Sequence, residues 1–346
     1  MIVGMSGGVD SSVTAHLLKE QGYEVEGVSF ILYEARMKSA FAGCCSLASI
    51  EDAGRTAVHM GVRHCAVDLR EEFMEKVIEP FISAYGQGMT PNPCILCNKH
   101  IKFPHLLKIA GERNAAFIAT GHYAKTAEGR LRKGSDPKKD QSYVLYVLGR
   151  EELKKLLLPL GGMLKTEVRE IARTLALPAC NRPESQEICF VEDGNYSRFM
   201  EGLAESGEGP LVEYGTGRVL GTHRGIYAYT IGQRKRLGIA TGAPLYVVKI
   251  DPSTRTVYVG PKEVVLIKEF TVFDCIWLTS FAPGPSQRFR AAVKVRSTMK
   301  EEPATLQLVG EDSVRVICDE PQWAPAPGQS AVFYEGDVVI GGGIIC

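Results

Sequence analysis

Ser6-Gly7-Gly8-Val9-Asp10-Ser11-Ser12 is the stretch that decides the fold. It follows a short apolar run, Ile2-Val3-Gly4-Met5, and leads into residues whose apolar members Val9, Val13 and Leu17 lie one helical turn apart. The order reads as strand, glycine loop and helix start. Gly7 and Gly8 let the backbone approach an anion with no Cβ in the way. The N–H groups of the helix start, with the hydroxyls of Ser6, Ser11 and Ser12, would then face phosphate oxygens. The spacing is not that of a Walker loop, whose lysine is also missing. A plain Gly/Ser turn, with Asp10 as an ordinary first-turn acid, is the alternative, and the strand–loop–helix context favours a nucleotide.

A chain of 346 residues is too long for one compact core and is expected to hold two or three domains. Apolar residues, at 45%, suffice for ordinary cores. No run approaches the ~18 apolar residues of a membrane span. The first strand starts almost at once, leaving no room for a signal or transit peptide, so cytoplasm is the expected compartment. Forty basic and forty acidic residues cancel. Any RNA-binding surface must therefore be a local patch.

The first ~190 residues alternate strand and helix, as in an α/β domain with a parallel sheet. Strands are expected at 25–32, 64–67 and 115–121, and helices from about Leu47 to Met60 and around Val168, Ile171, Ala172 and Leu175. Asp68 and Glu71 form a capping-box pattern for a helix that Pro80 must kink or end. His122 stands just past the carboxyl end of the 115–121 strand, where ligands sit in open α/β sheets. After about Leu203 short runs such as Leu245–Ile250 and Thr256–Val259 suggest β structure. From Leu266 onward sharp alternation, as in Ala304-Thr305-Leu306-Gln307-Leu308, predicts a small barrel or sandwich, with Phe281 to Ser286 as a loop within it.

Ten cysteines without a leader argue for thiol, metal or redox chemistry rather than a disulfide framework. Cys94-Ile95-Leu96-Cys97 follows Thr90-Pro91-Asn92-Pro93, whose prolines fix an extended entry, and precedes helical spacing at Ile101, Leu106 and Ile109. Thiols near a helix start and beside Lys99 are expected to be activated. Cys189 lies far along the chain in a polar loop. Cys65, Cys275 and Cys318 read as small strand hydrophobes, while Cys44 and Cys45 are open. A zinc site at Cys94 and Cys97 lacks a good second half-site, since Cys180 and Cys189 are nine apart. In 288–296 alternation sets Phe289, Ala291, Val293 and Val295 on one face and Arg288, Arg290, Lys294 and Arg296 on the other, a basic stripe suited to phosphates. Arg234-Lys235-Arg236 and the lysines 133, 138 and 139 are further basic clusters, each unremarkable alone.

The glycine loop resembles the pyrophosphate loop, SGGxDS, of ATP pyrophosphatases. Together with T-P-N-P-x-x-x-C-N-K, Ala119-Thr120-Gly121-His122-Tyr123, Lys139-Asp140-Gln141-Ser142-Tyr143, Ile188-Cys189-Phe190, Gly328-Gln329-Ser330 and Gly341-Gly342-Gly343, the chain resembles the tRNA-uridine 2-sulfurtransferase (MnmA) family from about Ile2 to Ile345. The resemblance implies an α/β, parallel-sheet, adenine-nucleotide α-hydrolase-like domain (PP-loop) over 1–200, a small β-rich central domain over 201–264 and a C-terminal, tRNA-binding β-barrel over 265–346. It implies ATP-dependent thiolation at C2 of the wobble uridine of tRNAs for Lys, Glu and Gln, with Mg²⁺ beside the ATP. Cys189 would carry a persulfide and Cys97 would be the partner nucleophile. Gly4, Met5, Ser6, Gly7, Gly8, Val9, Asp10, Ser11, Phe30 and Gly121 would bind ATP. Asn92, Pro93 and Cys94 would meet the target base. His122, Lys139, Asp140, Gln141, Arg296, Ser297 and Gln329 would touch tRNA. The sulfur donor would be a cysteine desulfurase or a relay protein.

Three departures stand out. Cys94 replaces the family's aspartate, giving C-x-x-C, and the segments Asn181–Glu187 and Ser297-Thr298-Met299-Lys300 differ from the family's basic versions. The extra thiol motivates a variant in which Cys94, Cys97 and Cys189 hold a [4Fe–4S] cluster with one open iron; a persulfide relay without metal is the default. Competing readings are a PP-loop ligase or amidotransferase on a small molecule, which would not need Cys97 and Cys189, and an RNA-binding or zinc-stabilised nucleotide sensor, which would bind ATP tightly and release no pyrophosphate.

Overall fold

The computed structural model describes residues 1–33, 47–178, 180, 188–191, 195–203, 207–239, 242–279 and 287–346. Cys44, Cys45, the 181–187 segment and the 281–286 loop lie outside the described residues. The chain forms two compact units. One comprises Met1–Ile78, Pro93–Asn195 and Asp337–Val339, the other Glu79–Asn92, Tyr196–Gly336 and Ile340–Cys346.

The first unit is built on β1 (Ile2–Gly4), β2 (Glu26–Ile31), β3 (Arg63–Asp68), β4 (Ile118–Ala119) and, after a hairpin of β5 (Ala124–Ala127) and β6 (Arg130–Lys133), β7 (Leu156–Leu157). The parallel sheet has the order β3-β2-β1-β4-β7. Ile2, Val3, Val28, Ile118 and Ala119 are fully buried, as strands covered on both faces require. The chain winds outward from β1 through β2 to β3, then crosses to β4, so the winding reverses between β1 and β4. That crevice is where such sheets take ligands. Helix α1 (Val9–Glu20) closes one face, packing Val9, Val13 and Leu18 with Ala53 and Ala57 of α2 (Leu47–His59) and with Val168 and Ala172 of the Lys165–Thr174 helix.

Three local expectations change. The Asp68 carboxylate accepts from the amide (3.1 Å) and guanidinium of Arg70 rather than forming a capping box, because Leu69 is the residue that enters the helix. Pro80 does not end the helical run: it stands in the Glu79–Gly86 helix directly after the π-helical turn Met74–Ile78, which is where the regular α-helical bonding is interrupted. The 115–121 strand shrinks to Ile118–Ala119, since the chain turns away at Thr120.

The second unit carries the expected β structure. A sheet ordered β10-β11-β8-β9 is made from β8 (Gly209–Glu213), β9 (Val219–His223), β10 (Tyr246–Asp251) and β11 (Thr256–Gly260), around Leu211, Leu237, Val247, Val257 and Val259. Beyond it, β12 (Leu266–Trp277), β13 (Arg288–Lys294), β14 (Glu302–Leu308), β15 (Val314–Trp323), β16 (Ser330–Glu335) and β17 (Val338–Ile345) run in the order β12-β15-β14-β13-β16-β17. Pairing of β12 with β17 closes them into a barrel without free edges. Ala304, Leu306 and Leu308 point inward, as their alternation predicted. Among the described residues no helix is long and apolar enough to cross a membrane.

Candidate functional site

The glycine loop joins β1 to α1 at the reversal point. Its entry is fixed from below: the Met5 amide donates to Val28 O at 2.7 Å, and Ser29 Oγ donates to Met5 O at 2.6 Å. Gly7 has φ of +72°, a left-handed conformation that a glycine adopts at no cost. Within the loop the Ser6 amide donates to Ser11 Oγ at 3.1 Å, while Ser12 Oγ donates to Gly8 O at 2.9 Å. The first helical bond runs from the Ser12 amide to Gly8 O, so the amides of Val9, Asp10 and Ser11 have no acceptor inside the helix. Gly8 is extended, and a Cβ there would meet nothing nearer than Ser6 Oγ at 3.6 Å. The protein itself does not demand glycine at this position; an anion seated on the loop would.

Asp10 is held by two residues distant in sequence. Lys165 Nζ donates to both its carboxylate oxygens, at 2.6 and 2.7 Å, and Tyr123 Oη donates to Oδ1 at 2.7 Å. The ammonium also lies 5.4 Å from the Tyr123 ring centroid. Lys165 is buried, at 8% exposure. Sequence reasoning missed it, although a signal exists: Lys165, Val168 and Ala172 share the spacing of a buried helix face, where a lysine needs a partner.

Gly121 closes the other side of the crevice. A Cβ on it would lie 2.9 Å from Asp10 C and Ser11 N, so only glycine lets the end of β4 run against the start of α1. Its neighbour His122 accepts from or donates to Thr120 Oγ1 through Nδ1 at 2.8 Å and stacks on Phe103 at 5.9 Å. Burial, with Lys102 nearby, pushes this imidazole well below its ordinary pKa and keeps it neutral. Phe30 is buried on β2, edge-on to His105 at 6.1 Å. Gly4 to Ser11 and Gly121 are thus brought together, with Phe30 on the strand beside them.

The two thiols expected to carry sulfur, Cys97 and Cys189, belong to this same unit. Cys94 and Cys97 lie in the short Pro93–Cys97 helix, one turn apart, Cys94 exposed and Cys97 buried. Asn98, itself buried, donates from Nδ2 to Val144 O at 2.9 Å and pins the turn after Cys97. The Pro93–Cys97 helix packs on the π-helical turn Met74–Ile78. Phe73, just before that turn, receives the Phe190 ring edge-on at 5.9 Å, and Phe190 anchors the half-buried Cys189. Both thiols therefore lean on one support. Among the described residues no group of three or more His, Cys, Asp or Glu gathers as a metal site. Cys94, Cys97 and Cys189, expected as possible cluster ligands, are not brought together as such a group. Cys318 is buried and Cys65 and Cys275 half-buried; burial pushes the Cys275 thiol up to about 12 and Cys318 to about 11.

Several residues expected at an RNA surface have structural duties. The Asp140 carboxylate accepts from the Gly134 amide at 3.0 Å and from Ser142 Oγ at 3.0 Å. Gln141 braces Tyr123 through its side-chain oxygen at 3.0 Å, while the Lys139 amide closes a turn on Asp136 O at 3.1 Å. In the second unit Gln329 Nε2 donates to Thr90 O at 2.8 Å, fixing the run that leads to Asn92. Arg296 donates to Ile231 O at 2.9 Å and Ala324 O at 3.0 Å, and Ser297 is exposed. The basic stripe of β13 is largely spent: Arg290 pairs with Asp319 at 2.5 Å, Arg288 with Gln307 at 3.2 Å, and Lys294 is buried. Alternation places a side chain on a face; it does not show what neighbouring strands put beside it.

Three family models match in order: tRNA methyl transferase HUP domain over residues 1–193, tRNA methyl transferase PRC-barrel domain over 197–261, and aminomethyltransferase beta-barrel domain over 267–345. A tRNA-specific 2-thiouridylase MnmA of Clostridioides difficile is 44% identical over 354 residues, covering 100% of this chain and 97% of that protein. A second, from Caldanaerobacter subterraneus, is 46% identical over 355 residues, with 100% and 97% covered. A third, from Halothermothrix orenii, is 45% identical over 356 residues, with 100% and 98% covered. The chain belongs to the MnmA family. The resemblance drawn from the motifs holds over the full chain, and so does the fold class, with parallel sheet, middle domain and closed barrel in sequence.

Proposed function

We propose that this enzyme replaces the C2 oxygen of a tRNA uridine by sulfur, using ATP. The observation that carries the reading is the placement of an anion-ready glycine loop at the sheet's reversal point in the same unit as Cys97 and Cys189. A carbonyl oxygen is a poor leaving group. The uridine O2 would attack the α-phosphorus of ATP, and pyrophosphate would leave toward the amides of the first turn of α1. Lys165 and Tyr123 would hold Asp10 back from the incoming phosphates. Mg²⁺ would enter as the counter-ion of those phosphates.

Sulfur must then arrive as a nucleophile. The terminal sulfur of a Cys189 persulfide would attack C2, and AMP would leave with the oxygen. The Cys97 thiolate would attack Cys189 Sγ, breaking the S–S bond, leaving the sulfur on uridine and closing a Cys97–Cys189 disulfide. A thiol reductant would then restore both thiols. In the alternative order Cys97 attacks the persulfide first and frees hydrogen sulfide, which attacks C2. A cysteine desulfurase, directly or through a relay protein, would load Cys189, and tRNAs for Lys, Glu and Gln would be the substrates. In this reading 1–200 is the catalytic domain, 201–264 the central domain and 265–346 the RNA-binding barrel.

The test is anaerobic incubation with ATP, Mg²⁺, a persulfide or sulfide source and unmodified tRNA-Lys, followed by nucleoside mass spectrometry. Sulfur-for-oxygen exchange that is lost in Cys97→Ser and Cys189→Ser supports the proposal. An added methyl group, or pyrophosphate release with no modified nucleoside, defeats it.

A further inference from the structure

Of the basic clusters, Arg234-Lys235-Arg236 stands apart because its charge is unspent. The three side chains are exposed, and among the described residues none of them makes an ion pair. Arg290 and Arg288 of β13 are engaged instead with Asp319 and Gln307, and Arg296, just beyond that strand, with main-chain carbonyls. In a chain whose formal charges sum to zero, such unpaired neighbours mark where an anion can be met.

The loop that carries them is built rather than loose. Gln233 braces it, accepting from the Thr230 amide at 3.1 Å and donating from Nε2 to Lys235 O at 3.0 Å. The Gly232 amide donates to Val247 O at 2.8 Å and the Val247 amide to Gln233 O at 3.0 Å, tying the loop to β10. Leu237, buried at 7% exposure, plugs its far end into the middle-domain core. Arg236 itself sits at φ +64°, a left-handed conformation in which a non-glycine residue carries strain. Glycine would relieve that strain, yet a cation stands there. Arg234 and Arg236 also line a cleft of about 620 Å³, together with Ile239, Gly242, Pro244 and Leu245. A lining that combines guanidinium groups with small and apolar side chains suits a ribose-phosphate.

We propose that the Arg234–Arg236 loop of the middle domain is an RNA-backbone contact, engaging about three phosphates of the bound tRNA through its exposed cations and its cleft. This rests on the reading of tRNA as substrate and adds a sequence-independent grip outside the reaction centre.

The test is the salt dependence of tRNA binding by the full chain between 50 and 200 mM salt (about the range over which phosphate contacts report,). The variant R234Q/K235Q/R236Q should lower the magnitude of the log K against log salt slope by about 2–3, near 0.7–0.9 per phosphate contact. Arg236→Gly, which relieves strain and so preserves the fold, should lower it by about 0.7–0.9. Arg290→Gln, an equal charge change at a spent cation, should leave the slope as in wild type. An unchanged slope in both loop variants, with wild type binding and thiolating tRNA, overturns this proposal alone and points the loop to an acidic protein. Failure of wild type to bind tRNA overturns the substrate reading and this inference with it.

Discussion

Replacing Lys165 by methionine tests the charge at the centre of the glycine loop. The lysine side chain is 10% exposed and the Asp10 side chain 33%, with N–O distances of 2.6 and 2.7 Å. At an effective dielectric near 20 the bare attraction over such a distance is about 6 kcal/mol, most of it offset by the cost of taking the ammonium out of water. Removing one partner of a fully buried pair costs about 3–5 kcal/mol. Here water reaches a third of Asp10 and Tyr123 keeps its hydrogen bond, so a loss of about 2 kcal/mol is expected. That corresponds to a fall in Tm of about 4–8 °C for a unit of this size. The unpaired carboxylate also faces the incoming phosphates, and ATP affinity should drop about tenfold, equal to about 1.4 kcal/mol. Thermal melts and calorimetric titration with ATP provide the two readouts. The double variant Asp10→Asn with Lys165→Met should regain most of the lost stability, because neither charge is then left alone. A Lys165→Met protein with wild-type Tm and wild-type ATP affinity would refute the reasoning.

Gly121→Ala should cost about 1–3 kcal/mol and weaken ATP binding, since its Cβ meets backbone atoms of Asp10 and Ser11 at 2.9 Å. Gly8→Ala, with its nearest contact at 3.6 Å, should keep its Tm and still lose ATP; normal ATP titration of that variant would remove the cradle role. Burial holds His64, His122 and His223 below their ordinary pKa, so the unfolded chain binds more protons below about pH 6.5. Stability should be full above that pH and fall as pH drops through the folded values, by at most about 1.4 kcal/mol per pH unit for each histidine. Urea midpoints at two pH values in wild type and His64→Gln check the sign, and a flat profile would count against it. Cys275 and Cys318, pushed up to about 12 and about 11, should resist iodoacetamide at mildly alkaline pH while exposed Cys94 is labelled; peptide mapping decides. Arg296→Ala removes two charge-assisted bonds to Ile231 O and Ala324 O, so Tm should fall with any loss of RNA binding; binding lost at unchanged Tm would show direct contact instead.

What could be read from the string was local. The strand–glycine loop–helix order, the burial period of β14 and a helix start near Cys94 and Cys97 each depend on a few neighbouring residues. Pairings set by topology could not be read. Asp10 and Lys165 are 155 positions apart, Gln329 and Thr90 are 239, and Arg290 meets Asp319 only through the registers of β13, β14 and β15. The stripe on β13 shows the consequence. Period-two spacing sorted its cations from its apolar residues, but the facing strands then paired or covered them. In the middle domain the same reasoning runs the other way: Arg234-Lys235-Arg236 was unremarkable as a triplet and becomes informative only because no described residue forms an ion pair with it. For a chain with forty charges of each sign, the count of cations says little about RNA. Cations that no described residue pairs, on a loop braced by Gln233 and anchored by Leu237, say where RNA binding should be sought.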